Sequence, residues 1–224
     1  MAREIHLFAL RASGTSAADF AAAIRAAGRD LGARTVFSMA EVMGEFVHAD
    51  ATAGAPRPAD AILTWSPAPS RPWRDDAAAL QAAGVPALLD RGSSTLFAGE
   101  RYDIVPGSGA VLISFALQRL DRLSREGFQS YWLDCHAEHG RRTLVPPNTY
   151  AQIHARPADA ALEALSGALA VPLDTRDGIA ECLFPDLAAF RTQMARAEVA
   201  VEALEDEKNF IDHARSTFGL FRVE

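Results

Sequence analysis

The chain is poor in cysteine, in lysine and in long apolar runs, and each shortage excludes a class of protein. Only two cysteines occur in 224 residues, Cys135 and Cys182. That is too few for a disulfide framework, and neither has the CxxC partner of a redox or structural zinc site. Nowhere is there the long uncharged apolar span of a membrane helix, so no membrane is expected as partner. The opening MAREIHLFAL has a charge pair and too short an apolar run for a secretory signal. A reducing, cytoplasmic setting is therefore expected. Lys208 is the single lysine and the net charge is −7, so no nucleic-acid partner is expected. GxGxxG, P-loop and GxSxG patterns are all missing, which leaves nucleotide binding and a serine triad without support. No cofactor is expected.

What is present suits a soluble folded chain. Hydrophobic residues make up 49% and charged residues 23%, and the length allows one large domain or two small ones. A faint internal repeat favours two. Ser16-Ala-Ala-Asp-Phe20 aligns with Ser124-Arg-Glu-Gly-Phe128, and each follows an apolar run, IHLFAL at 5–10 and VLISFAL at 111–117. The halves also end alike, with Ser94-Thr-Leu-Phe97 against Ser216-Thr-Phe-Gly219.

The first half reads as strand 4–11, helix 17–31, strand 35–47, strand 60–65, helix 73–83 and strand 95–103. Phe20, Ile24, Ala27 and Leu31 make one helical stripe, Ser16 with Asp19 resembles a capping box, and the Pro/Gly/Ala-rich 49–59 reads as a loop. The second half reads as strand 110–118, helix 125–140, strand 148–155, strand 178–184, helix 187–205 and strand 216–223. Residues 157–173 supply a short extra helix. Asp186 is placed to cap the last helix, whose expected buried stripe is Leu187, Phe190, Met194, Ala197, Val201 and Leu204. The acidic run from Glu202 to Glu207 reads as a solvated helix end.

Each half is thus βαββαβ, so the expected fold class is α+β: two tandem ferredoxin-like units, 1–107 and 108–224, forming an intramolecular dimeric α/β-barrel. Pairing the two sheets would bury both faces and leave a cavity between them. Association of such a pseudo-dimer into a homodimer through its outer surfaces stays open.

The residues suited to proton transfer cluster between 124 and 154. With about 100° per helical residue, Cys135 and His139 fall within roughly 20° of Phe128, Trp132 within about 40° and His136 at roughly 80°. His139 is then mid-stripe and reads most simply as a packed neutral imidazole. His136 is at the stripe's edge, where it reads either as a partly exposed polar residue or as a ring leaning into a cavity for acid–base work. Tyr150, Gln152 and His154 alternate and share one strand face, while Ala151, Ile153 and Ala155 share the other. The apolar set suits packing under helices and the polar set a cavity between the sheets; solvent is the competing environment for the polar face. His136-x-x-His139, with Glu138 between and His154 within range, lacks the spacing signature of a metal site, and no metal is expected.

These residues together resemble the EthD family, one branch of the dimeric α/β-barrel proteins. The matching pieces are Phe128, Tyr131-Trp132, His136, Tyr150-x-Gln152-x-His154, Asp177-Gly178-Ile179-Ala180-Glu181, and Asp206-Glu207 followed by Phe210. They run in family order over roughly 110–224, and the first half resembles the family in layout only. The resemblance implies a cavity for a small molecule, with relatives that include dehydratases, cyclases and lyases of aromatic or polyketide-like carbonyl compounds. Cofactor-independent monooxygenases share the wider fold.

Carried over by position, His136 is the acid–base candidate and Tyr150 the tyrosine near the pocket. His139 departs from the pattern, where an apolar residue is usual. Gly28 occupies the repeat position of His136, so the first half does not copy the site. The expected function is a cofactor-free lyase, dehydratase or cyclase acting on a hydrophobic carbonyl-bearing small molecule. His136, Tyr150 and His154 would be catalytic, with Phe128, Tyr131, Trp132, His139 and Gln152 binding the substrate. A non-catalytic small-molecule binder and a cofactor-free monooxygenase are the alternatives.

Overall fold

Eight strands close into one antiparallel barrel, in the order β1-β3-β2-β8-β5-β7-β6-β4. They are β1 (Ala2–Ala9), β2 (Arg34–Ser38), β3 (Ala61–Trp65), β4 (Thr95–Val105), β5 (Val111–Leu117), β6 (Tyr150–Ala155), β7 (Gly178–Phe184) and β8 (Thr217–Val223). A computed structural model describes residues 2–44, 56–68, 71–144 and 146–224 of the chain. β4-β1-β3-β2 and β8-β5-β7-β6 are the same ferredoxin-like arrangement used twice. They join where β2 pairs with β8 and β4 with β6, so the barrel has no free edge.

The repeat seen in the sequence has a physical counterpart at the strand ends. Leu10 N donates to Ser94 Oγ at 2.9 Å, and Gln118 N donates to Ser216 Oγ at 2.9 Å. In both halves a serine just before the last strand receives the backbone at the end of the first.

The helices coat the outside. They are α1 (Ala17–Leu31), α2 (Ala40–Met43), α3 (Trp73–Ala82), α4 (Val85–Leu88), α5 (Arg125–Tyr131), α6 (Ala137–Thr143), α7 (Ala160–Leu169), α8 (Leu187–Met194) and α9 (Ala197–Glu207). Ser16 caps α1 by accepting from Ala18 N and Asp19 N, and Asp186 caps α8 by accepting from Ala189 N, as the side-chain chemistry of these residues predicts.

Strand alternation sorts the core into an inner and an outer layer. Phe8, Ile62, Phe97, Leu112, Ile153, Ile179 and Phe221 meet in the lumen. Ile5, Leu7, Leu63 and Leu96 point outward under Phe20, Ile24 and Leu80 of α1 and α3, with Leu165 of α7 joining them. In the second half, Tyr150 and Ala180 point outward under Phe128, Trp132 and Phe210.

Four expectations from the sequence change. The strand expected over 35–47 stops at Ser38, because Met39 N bonds Leu220 O at 2.8 Å and the chain turns into α2. The rest of that span, 45–47, and most of the expected 49–59 loop lie outside the described residues. The helix expected over 187–205 is two helices that part after Met194. Of its expected stripe, Phe190 is buried, while Val201 and Leu204 are 60% and 46% exposed. Separating α9 from α8 breaks the 3.6-residue phase on which that stripe depended.

The third change is in the helix expected over 125–140, which runs to Thr143 but carries a π turn over Trp132–His136. A π turn takes up one extra residue, and the helical phase slips by that much. Cys135, expected on the apolar stripe, is exposed, and His136, expected at its edge, is buried.

The fourth concerns β6, whose two faces are reversed. Ile153 and Ala155 line the lumen, while Tyr150, Gln152 and His154 lie under the helix that carries Trp132. The polar face is tolerated there because its side chains bond one another and the overlying helix, which spares the desolvation cost of a polar surface under a helix.

Candidate functional site

Two glycines let the π-turn helix settle on the sheet. A Cβ on Gly178 would come within 2.4 Å of the Trp132 ring, and one on Gly140 within 2.4 Å of the Tyr150 ring. Just before Gly178, the fully buried Asp177 accepts from Arg119 Nη1, from Arg125 Nε at 3.1 Å and from Gln118 Nε2 at 3.0 Å. The Asp177-Gly178 pair thus ties down the chain after β5 and clears room for the indole.

Under that indole is a polar chain with assignable donors. Gln152 Nε2 donates to Trp132 O at 2.9 Å, which fixes the orientation of its amide. The same Nε2 and Trp132 Nε1 each donate to the Tyr150 oxygen at 3.0 Å. Gln152 Oε1 then accepts from His154 Nε2 at 3.0 Å. Burial lowers the His154 pKa to about 4, so the ring is neutral; it stacks on Trp132 with centroids 4.8 Å apart. Burial also pushes the Tyr150 phenol far above the ordinary tyrosine range. With two N–H groups donating to its oxygen, Tyr150 keeps its own proton to give away.

On the other side of Tyr150 is a cavity of about 160 Å³, enclosed by the outer face of β5, β6 and β7 and by α6, α8 and α9. Trp132, His136, His139 and Tyr150 line it, with Phe115, Cys182 and Phe184 among its apolar walls. His136 Nδ1 is 2.6 Å from Asp206 Oδ2, and Tyr131 Oη donates to Asp206 Oδ1 at 2.6 Å. Partial burial raises the Asp206 carboxyl, but the bonds from Tyr131 and His136 outweigh it and leave the group below the usual aspartate value. An ionised carboxylate only accepts, so His136 carries its proton on Nδ1 and its lone pair on Nε2.

His139 is held differently. Arg142 Nη2 is 3.3 Å from its Nδ1, with Glu202 Oε1 farther off at 3.8 Å; a ring that accepts from Arg142 carries its proton on Nε2. That Nε2 is buried on the cavity wall without a hydrogen-bond partner among the described residues. The described polar groups on the cavity wall thus include two imidazoles, the Tyr150 phenol and the carboxylate of Glu207, which also meets His213 Nε2 at 2.9 Å.

Of the residues expected in a site, His136, His139, Trp132 and Tyr150 come together on this cavity. Phe128, Tyr131, Gln152 and His154 do not line it. Phe128 is buried behind Trp132, Tyr131 holds Asp206, and Gln152 and His154 support Tyr150 from below. Asp206 was not expected as a site residue, because the acidic run that contains it looks like a solvated helix end. Its position in the Asp206-Glu207…Phe210 string was the available signal. Phe210 packs on His136 at 5.1 Å between centroids.

The spacing and order of these residues agree with a known domain. Residues 120–214 match the EthD domain. The match falls in the second half of the chain, with the π-turn helix, Tyr150, Asp177 and Asp206 all inside its bounds. A comparison with curated protein sequences finds no match.

Solved structures similar to the whole chain share the barrel rather than the sequence. One, provisionally assigned as a chlorite dismutase, is 11% identical with a TM-score of 0.55, over 100% of this chain and 95% of its own. Another, from Fusobacterium nucleatum and provisionally assigned as a monooxygenase, is 5% identical with a TM-score of 0.56, over 99% and 92%. A third, described as a haem-binding protein from Thermus thermophilus, is 12% identical with a TM-score of 0.51, over 99% and 90%. At such identities the likeness establishes the two-unit fold.

Among the described residues no group of three or more His, Cys, Asp or Glu side chains is placed to hold a metal ion. No helix among them is long and apolar enough to cross a membrane.

Proposed function

We propose that the EthD half, 108–224, is an acid–base enzyme that removes a proton beside the carbonyl group of a small cyclic compound. The first half, 1–107, completes the barrel as its scaffold. The observation that supports this reading is the pairing of two differently held imidazoles on one cavity wall: His136 holds Asp206 through Nδ1, and His139 meets Arg142 through Nδ1 with its buried Nε2 unpartnered among the described residues.

Removal of a proton next to a carbonyl builds negative charge on the oxygen. A base on one side and donors at that oxygen on the other are what the transition state requires. His136 takes the proton, and Asp206 steadies the imidazolium that forms. His139 and Tyr150 donate to the oxygen. Loss of a β-hydroxyl from the resulting enolate would make the overall reaction a dehydration, and intramolecular attack would make it a cyclisation.

The cavity narrows the substrate class. At about 160 Å³ it is near the size that holds a benzene-sized molecule, so a single-ring carbonyl compound suits it better than a fused polyketide. Haem, named in the description of one structural neighbour, does not fit this cavity, which is well under the roughly 300–1,000 Å³ of sites for drug-sized ligands.

The test is exchange of ligand protons into D2O. Wild-type protein is expected to speed α-proton exchange in small cyclic ketones such as cyclohexanone or cyclopentanone, followed by NMR. His136→Ala should reduce the enzymatic rate by about 10²–10⁴ while leaving the fold intact. Exchange at the uncatalysed rate across such ketones, or an undiminished rate in His136→Ala, rejects the proposal.

A further inference from the structure

A larger cavity lies elsewhere, inside the barrel. The lumen holds a space of about 480 Å³ at the end where β1 and β5 finish and β4 and β8 begin. The lumen toward the opposite end is occupied by charge. Glu181, 1% exposed, pairs with Arg34 and with Arg101 at 3.0 Å, and Glu4 pairs with His6 at 3.2 Å and with Arg101 at 3.4 Å. The open end is different in kind, with Phe8, Ala116 and Phe221 as apolar wall.

The charged side chains described on that wall are already paired: Arg57 with Asp60, Arg215 with Asp121 at 2.7 Å and Asp212 at 2.6 Å, and Arg176 with Asp174. Arg176 donates to Asp174 through both arms of its guanidinium, to Thr217 Oγ1 at 2.9 Å, and lies 4.9 Å over the Phe8 ring. Asp174 also accepts from Thr95 Oγ1 at 2.7 Å. Thr95 and Thr217 open the last strand of each half, so one Arg–Asp pair clasps both halves at the mouth. A charged ligand would have to compete with the carboxylate partners of all three arginines and lose its own hydration. An uncharged ligand meets neither cost.

One polar atom is left over. Ser114 is 4% exposed and lines the cavity, and its Oγ has no hydrogen-bond partner among the described residues. Buried hydroxyls are rarely left in that state, and rotation about the Cα–Cβ bond of Ser114, on the lumen face of β5 beside Ala116, would turn this one toward the cavity.

We propose that the lumen is a second ligand site, separate from the His136 cavity, taking an uncharged small molecule with a flat apolar body and one hydroxyl or carbonyl group. The body rests against Phe8 and Phe221, and the polar group bonds Ser114 Oγ. The volume lies within the usual range of small-molecule sites. Among the described residues that line this wall there is no His, Cys, Tyr or Lys, and the one carboxylate, Asp174, is held by Arg176, so the site binds its ligand without the proton chemistry assigned to His136.

The probe is 1-naphthol, titrated by its fluorescence at neutral pH, with 1-naphthoate as the charged counterpart. Wild-type protein is expected to bind 1-naphthol saturably and 1-naphthoate at least tenfold more weakly. Ser114→Val, which puts methyl groups in place of the hydroxyl, should weaken 1-naphthol by at least about five- to tenfold, the worth of one net hydrogen bond. Ala116→Phe should abolish binding by filling the lumen, and Ala203→Leu, which fills the outer cavity, should leave it unchanged. If Ala116→Phe does not fold, Ser114→Val decides.

Three results overturn the proposal. The first is the lack of saturable binding up to the solubility limit of 1-naphthol, the mark of a lumen that holds only water. The second is binding that is untouched by Ser114→Val or lost in Ala203→Leu. The third is 1-naphthoate binding as tightly as 1-naphthol. None of them bears on the ketone exchange assay, so this site and the reading of His136 fail or stand separately.

Discussion

His136 Nδ1 is 2.6 Å from Asp206 Oδ2, a contact that ties the π turn to a helix seventy residues later in the chain. Through it a carboxylate on the outermost helix sets which nitrogen of His136 bears the proton. On the proposed mechanism it acts on the base without lining the cavity itself.

Asp206 is thus a positioning residue. An asparagine there can offer its N–H₂ to His136 Nδ1, which moves the ring proton to Nε2 and removes the base. Asp206→Asn should lower kcat by about 10–100-fold, in the range seen for groups that orient a working histidine, with KM little changed. ¹⁵N NMR of the imidazole should report a switch from the Nδ1–H to the Nε2–H tautomer. An unchanged tautomer together with full activity would separate Asp206 from the chemistry.

Tyr150 has a double role, so its removal should register in two measurements. Tyr150→Phe takes the oxygen from Trp132 Nε1 and Gln152 Nε2, which both donate to it at 3.0 Å. Buried donors left unpaired cost about 1–3 kcal/mol, which a shifted urea midpoint should show. The carbonyl also loses one of its donors, and exchange of ketone α-protons should slow by about tenfold or more. A loss of stability with no change in exchange would confine Tyr150 to a structural role.

Two buried groups should give stability two separate acid limbs. The neutral His154 ring has its pKa lowered from 6.5 to about 4 by burial. The unfolded chain therefore takes up a proton first, and stability should fall as the pH drops from about 6.5 to about 4. Glu181 is pushed up by burial, but Arg34, His6 and Arg101 more than reverse this and bring it from 4.5 to about 2. Its contribution is present above about 4.5 and lost as the pH falls toward 2. Urea midpoints measured from pH 8 downward should show both limbs. His154→Phe should flatten the upper one and Glu181→Gln the lower one; a single limb unaffected by either variant would contradict the assignment.

Much of the architecture was legible from local pattern. The helical stripe of Phe20, Ile24, Ala27 and Leu31, the caps at Ser16 and Asp186, and the strand runs at 5–10 and 111–117 all lie within a few residues of their expected elements. The candidate cluster at 124–154 was legible too, because Trp132, His136, His139 and Tyr150 do meet at one cavity. Where the reading went astray, a contact between distant parts of the chain decided the outcome. Alternation in β6 places Tyr150, Gln152 and His154 on one face, but not which face looks inward. That depended on Trp132 O and Nε1 being present outside the sheet to bond them. The phase of a regular helix likewise put Cys135 inward and left His136 at the edge, and the π turn exchanged them.

By itself, the sequence determined the two βαββαβ units, their caps and the cluster of proton-transfer groups, since each rests on periodicity and capping between residues near one another in the chain. Only the tertiary structure decided the hydrogen bonding around the cavity: Asp206 on Nδ1 of His136, the unpartnered Nε2 of His139, and the two N–H groups donating to the Tyr150 oxygen. It also decided that the lumen opens at one end and is filled with charge toward the other. Hydrogen-bond direction and cavity shape come from groups brought together by folding across tens of residues, and no local spacing encodes them.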